Sequence, residues 1–308
     1  MHMQIKNSNK VILTILVLIT FLGQSRAQEV ADQSDFNLNE RVGLTPKDII
    51  LQFQEMGMDP VNHILTKTEQ EIVEQAFDLL PPLHQKILKE HLYSISFLDN
   101  MPNTALTSPI DEPDEKMFTI TFRSEILHQT ISEWATWKEN SLYEPSSDYS
   151  LFVEAGELNA IVYVLLHEAT HVLDAALEIS PKLTESDTLV VHSGFTQNIW
   201  TSINMPREEF RTTLLETTRF RGGGPIPINL APEVYKKLQK TPFVSLYGMA
   251  SWFEDLAELV TIYHLSKKLN QPYQISIMKG GVEVFRFDPI KNKEVRKRLK
   301  KLDIFYSG

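Results

Sequence analysis

Glu154-Ala-Gly-Glu-Leu-Asn-Ala-Ile-Val-Tyr-Val-Leu-Leu-His167-Glu-Ala-Thr-His171-Val-Leu-Asp174-Ala-Ala-Leu-Glu-Ile179 is the stretch on which the reading of this 308-residue chain turns. Ile161, Val162, Leu165, Leu166, Ala169, Val172, Leu173, Ala176 and Leu177 recur at helical spacing over a wide apolar face. The spacing predicts one long helix from about Glu154 to Ile179, with His167-Glu-Ala-Thr-His171 in its middle.

Positions four apart in a helix differ by about 40° around the axis, so His167 and His171 present two imidazoles on one side, one turn apart. Two such nitrogens can chelate one Zn²⁺. Glu168 is turned about 100° from His167, outside the same ligand set but near a metal-bound water. Zinc acidifies that water, and Glu168 is placed to take its proton as general base.

A catalytic zinc also needs a third protein ligand. The motif that supplies a third histidine shortly downstream would require Gly and His where this chain has Asp174 and Leu177, which excludes that class. The remaining option is a carboxylate on a second helix. Trp252-Phe-Glu-Asp-Leu-Ala-Glu-Leu-Val260 offers Glu254 and Glu258 on one face, beside the apolar Phe253, Leu256, Ala257 and Val260. Asp174 follows His171 by three residues, and Glu258 follows Glu254 by one turn. Asp174 and Glu258 are candidates to accept the second ring N–H of a ligating histidine, although Asp174 has an ordinary capping or surface role open to it as well.

These pieces resemble the gluzincin metallopeptidases, and among them the anthrax lethal factor-type catalytic domain. The likeness rests on His167-Glu-Ala-Thr-His-Val-Leu-Asp174 and on Ser245-Leu-Tyr247-Gly248, whose tyrosine precedes Glu254 by seven residues, with Ala257-Glu258 continuing it. The resemblance implies that Glu254 is the third zinc ligand, that Tyr247 donates to the oxyanion, and that peptide bonds are hydrolysed. A phenol suits that role physically, because it can hydrogen-bond the tetrahedral oxygen. The 83-residue interval from His171 to Glu254, which includes Arg221-Gly-Gly-Gly-Pro-Ile-Pro227, exceeds what the group usually shows and leaves the substrate class open. The second reading from another class is a catalytically inactive zincin-fold binding or assembly protein of the cell envelope.

Outward from the motif, the N-terminus carries Lys6 and Lys10 before the apolar run Val11–Leu22, and then Gly23-Gln-Ser-Arg-Ala27. This pattern predicts a signal peptide over residues 1–27, hence a secreted or periplasmic protein with no membrane span after cleavage. Lys6, Lys10 and Arg26 would leave with it, giving 27 basic against 40 acidic side chains and making nucleic acid and anionic surfaces poor partners. The chain has no cysteine and no Asn-x-Ser/Thr sequon, which favours bacterial export. The expected partner is a protein or peptide substrate.

The pattern further predicts an α+β, predominantly helical, zincin-like fold with a small sheet. A helical N-terminal region over 28–110 would precede a catalytic domain over 115–308. Helices are expected from Thr45 to Met56, from a Thr68–Glu71 capping box to Leu80, and from Leu83 to Leu92. The acidic Ser108–Lys116 run reads as a connector, Phe118–Phe122 as a strand and candidate substrate-binding edge, and Tyr273–Phe287 as a hairpin. Lys291–Lys301 reads as a solvated basic helix; after Pro181 the pattern assigns no regular elements, and the Arg221–Pro227 run reads as loop. His63, His84, His91, His128, His192 and His264 read as surface or core histidines, and Arg219 and Arg221 as loop residues.

Overall fold

The computed structural model describes residues 38–111, 116–181 and 193–306; the expected signal segment and His192 lie outside them. Helices α1 (Leu38–Arg41), α2 (Lys47–Glu55), α3 (Lys67–Asp78), α4 (Pro82–His91), α5 (Ile131–Asn140), α6 (Ala160–Leu177), α7 (Thr213–Glu216), α8 (Ala231–Leu238), α9 (Trp252–Lys267) and α10 (Lys293–Arg296) are joined by short strands. These are β1 (Val61–Asn62), β2 (Leu92–Asp99), β3 (Ala105–Asp111), β4 (Lys116–Arg123), β5 (Tyr143–Glu144), β6 (Tyr149–Glu154), β7 (Trp200–Ser202), β8 (Met205–Pro206), β9 (Ile226–Pro227), β10 (Gln274–Lys279) and β11 (Val282–Phe287). The architecture is α+β with several small sheets.

The main sheet has the order β1-β2-β4-β3, with β2 and β4 parallel and β3 antiparallel to β4. Alternation along the strands sends Ile95, Phe97, Ile120 and Phe122 to the face that packs under α6, while Leu98 and Leu106 meet Ile49 and Phe53 of α2 on the other. β4 is therefore an interior strand, and the expected edge at Phe118–Phe122 is corrected: β3 is the edge on that side. Ser108–Asp111 also differs from the expected connector, because it pairs with Lys116–Thr119 as one arm of a hairpin. One hydrophobic cluster extends from Leu38 to Phe305, drawing on α3, α4 and β2 as well as on α6 and α9.

Helix α6 starts six residues later than the periodicity predicts. Tyr149–Glu154 is spent on β6, which pairs with β10 of the three-stranded sheet β11-β10-β6, and Gly156 turns the chain at φ +79°. The Asn159 side chain then accepts the Ile161 N–H and opens the helix. Residues Ala160 to Thr170 are all buried, so α6 is a core helix. Its length and mean hydropathy would suffice for a membrane span, but 78% of it is covered by the protein. Burial of Leu165 or Leu166 stabilises the fold by about 1.5–3 kcal/mol each.

Other boundaries move by a residue or two for local reasons. The capping box of α3 is Thr66–Glu69, not Thr68–Glu71: Thr66 accepts the Glu69 N–H at 3.3 Å and Glu69 accepts the Thr66 N–H at 2.7 Å. In α2 the N-cap position is Pro46, and Thr45 instead donates its N–H to Asn62. The Gly280-Gly281 turn, with both φ positive, closes the β10–β11 hairpin as expected. The basic C-terminal stretch is broken into α10 and a 3₁₀ turn at Leu299–Phe305, and Arg298 points inward.

Candidate metal centre

Helix α9 crosses against α6 and delivers a carboxylate to the two imidazoles. Ser251 accepts the Glu254 N–H at 3.3 Å, which fixes the first turn of α9 and puts Glu254 at its third helical position. His167 Nε2 and His171 Nε2 lie 3.2 Å apart, and Glu254 Oε2 lies 3.0 Å from the first and 3.6 Å from the second. Ligands about 2.05 Å from a tetrahedral zinc are separated from one another by about 3.3 Å, the spacing these three atoms bracket. The donor set of two imidazoles and a carboxylate therefore fits a divalent cation in both chemistry and distance.

The electrostatics of the three donors follow from the same arrangement. Burial opposes charge on His167, but the Glu254 and Glu258 carboxylates outweigh it and raise the imidazole to about 10. His171 is raised also, against burial, chiefly by Glu254. Glu254 in turn is held well below the carboxylate range, because His171 and His167 outweigh its desolvation. The pocket thus holds positive charge among buried acids, and a metal must displace protons to enter.

Glu258 stands one turn deeper on α9 and is fully buried. Its Oε1 accepts the Tyr163 hydroxyl at 2.8 Å, faces His167 Nδ1 at 3.1 Å and lies 3.3 Å from Lys138 Nζ. Burial pushes this carboxyl up, yet Lys138 first and His167 next hold it down at about 2. Glu258 is thus the group behind His167, whereas Glu254 is the one among the Nε2 atoms. Asp174 behaves differently: its Oδ1 accepts the Ser180 N–H at 2.6 Å beyond the helix end, and His171 acts on it through charge only.

Glu168, 9% exposed, points from α6 toward the edge strand, where the Thr107 hydroxyl donates to its Oε2 at 2.6 Å. Tyr247 reaches the site from a 3₁₀ turn, its ring stacked on His167 at 5.8 Å and against Phe220 at 4.9 Å. The Ser245-Leu-Tyr-Gly pattern has a local cause. Ser245 Oγ accepts the Gly248 N–H at 2.9 Å, and Gly248 sits so near α9 that a Cβ would lie 3.6 Å from Asp255 Cα and 3.7 Å from Glu258 Cβ. Burial, then the charges of Glu254, Glu168 and Glu258, push the Tyr247 phenol well above its ordinary value, so it is a neutral donor.

The Gly-rich loop supports the site from outside it. Arg221 Nη1 donates to the carbonyls of Asn204 at 2.7 Å and Met249 at 2.8 Å, tying down the segment that leads into α9. Arg219 donates to the Ser141 carbonyl, and a Cβ on Gly223 would fall 1.8 Å from the Thr217 carbonyl oxygen. His84 is a core residue against Thr170, and His264 bonds Tyr306 and the Leu79 carbonyl. His63 and His128, which show no partner in the sequence pattern, both lie against Glu69, at 3.1 and 3.0 Å.

Thr107, Lys138 and Tyr163 join this site without a sequence signal. Thr107 and Lys138 come from β3 and α5, remote from the motif in sequence, whereas Tyr163 stands on α6 one turn before His167 and reads there as one more apolar core position. Comparison with protein-family models, with curated proteins and with solved structures gives no match to this chain.

Proposed function

We propose that the chain is a zinc-dependent peptidase of gluzincin-like, zincin-type organisation, exported to a secreted or periplasmic location and acting on protein or peptide substrates. The observation that carries this reading is the convergence of His167, His171 and Glu254 at ligand separations. Glu168 beside them and Tyr247 stacked on His167 supply the two further groups that hydrolysis needs.

A zinc ion held by the three donors would polarise the scissile carbonyl and acidify an attacking water. Glu168 takes the proton from that water and passes it to the leaving amine. Thr107, bonded to Oε2, steers the Glu168 carboxylate and leaves Oε1 for the proton. Tyr247, kept protonated by burial and by the acids around it, donates a hydrogen bond to the carbonyl oxygen as charge develops there. Because Thr107 lies on edge strand β3, a peptide that pairs with that edge runs beside Glu168.

The test is Glu168→Gln, assayed for zinc content and for peptide cleavage. Retained zinc with cleavage lowered by about 10²–10⁴-fold is the expected result. Unchanged activity in this variant overturns the reading.

A further inference from the structure

Lys138 is the one lysine brought to the metal centre among the described residues, and it belongs to none of the motifs. It stands on α5 with its side chain 15% exposed. Its ammonium lies 3.3 Å from Glu258 Oε1 and 4.4 Å from the centre of the Tyr247 ring, with the Trp134 and Tyr163 rings at 5.2 and 5.6 Å. We propose that Lys138 is a positioning residue of the metal centre, acting on His167 through Glu258 and Tyr247 together.

The argument starts from Glu258, a carboxylate with no exposure to water whose Oε1 faces His167 Nδ1. A buried anion needs a paired cation, and Lys138 is the nearest fixed one. An imidazole bound to metal by one nitrogen is oriented by whatever accepts from the other. Without the ammonium, Glu258 keeps hydroxyl partners in Tyr163 and Ser245 but His167 as its one cationic neighbour among the described residues, and the ring that should face the metal is pulled toward its support. The same ammonium lies over the π-face of Tyr247, whose ring is stacked on His167 with 23° between the planes. One side chain on a third helix thus bears on both groups that bear on His167.

This inference rests on the zinc-site reading, and its primary readout is affinity, not turnover. Zinc is titrated into the full chain in competition with a chromophoric chelator, for wild type, Lys138→Met, Lys138→Arg, Glu258→Gln and the Lys138→Met/Glu258→Gln pair. The expected result is about 10-fold weaker zinc binding in Lys138→Met, recovery to within about 3-fold in Lys138→Arg, and a double variant no weaker than Glu258→Gln alone. Should Lys138→Met fail to fold, the double variant, which leaves no uncompensated buried charge, is compared with Glu258→Gln. In a cleavage assay Lys138→Met lowers kcat and leaves KM unchanged. Wild-type zinc affinity in Lys138→Met, or losses that add in full in the double variant, overturn the proposal, as does a wild type that takes up no zinc. A wild type that binds zinc but cleaves no peptide sinks the peptidase reading alone.

Discussion

His84 shows how far one buried side chain sets solution behaviour. It is fully buried between α4 and α6, and desolvation, with the charge of His264 added, holds its imidazole down at about 3. The unfolded chain binds a proton near pH 6.5 that the folded chain refuses, so stability is complete above that pH. It falls as pH drops toward 3, by up to about 1.4 kcal/mol per pH unit. His84→Phe removes this component, and Thr170 keeps its bond to the Leu166 carbonyl. Thermal melts at pH 7 and pH 4 check it: the variant's melting temperature drops less than the wild type's. His167 predicts a second effect. Raised to about 10, it is protonated at neutral pH and must lose that proton to bind a metal. Calorimetric titration of zinc at pH 7 in two buffers of different ionisation enthalpy should show the release of at least about one proton, His171 adding to it; identical enthalpies would contradict it. At this scale His167, Glu168 and His171 are legible in sequence, because i, i+1 and i, i+4 directions are a local property of the helix. The choice between Glu254 and Glu258 is not. They share a face one turn apart, and the depth at which α9 meets α6 decides which oxygen reaches the Nε2 atoms.

At the scale of elements, the placing of Glu254 depends on how α9 is anchored. Asp255, next to Glu254, is buried and takes a bidentate bond from Arg298 at 2.7 and 2.8 Å, plus the Trp200 indole N–H at 2.9 Å. Arg298 also donates to the Pro242 carbonyl. Removing one partner leaves a buried charge unpaired, so Arg298→Met should cost about 3–5 kcal/mol of stability, read by chemical denaturation. A loss below about 1 kcal/mol would rule out the anchor. The capping box of α3 is a smaller case: Thr66→Ala should cost about 1 kcal/mol, whereas Thr68→Ala should cost far less. Both threonines precede a glutamate by three residues, so pattern alone does not choose between them. The start of α6 is the same kind of ambiguity. Glu154 to Asn159 fits the helical pattern, yet Glu154 ends β6, which pairs with β10 over a hundred residues away, and the Gly156 turn carries the chain to the Asn159 cap.

At the scale of the whole molecule, β2 lies between β1 and β4, and β4 between β2 and β3, so the main sheet interleaves residues from before and after 115. Its helical cover under α6 comes from α3 and α4. A chain shortened to residues 115–308 should therefore lack the partner of β4 on both sides and fail to give a cooperative thermal transition. A sharp transition at the wild-type temperature would show the two regions to be independent.

Read alone, the sequence determined the α+β character, the positions of α2, α3, α4, α6 and α9 to within a few residues, the hairpin at Gly280-Gly281, and a histidine pair with its neighbouring glutamate. All of these rest on interactions within a few residues of one another: helical periodicity, caps and turn chemistry. Tertiary structure alone decided the interior place of β4, the edge at β3, and the inward turn of Arg298. It also decided the gathering of Thr107, Lys138 and Tyr163 around Glu168 and Glu258. Those features depend on which surfaces bury against which, and burial is a property of the packed whole, with partners 43 to 120 residues apart in these side-chain contacts.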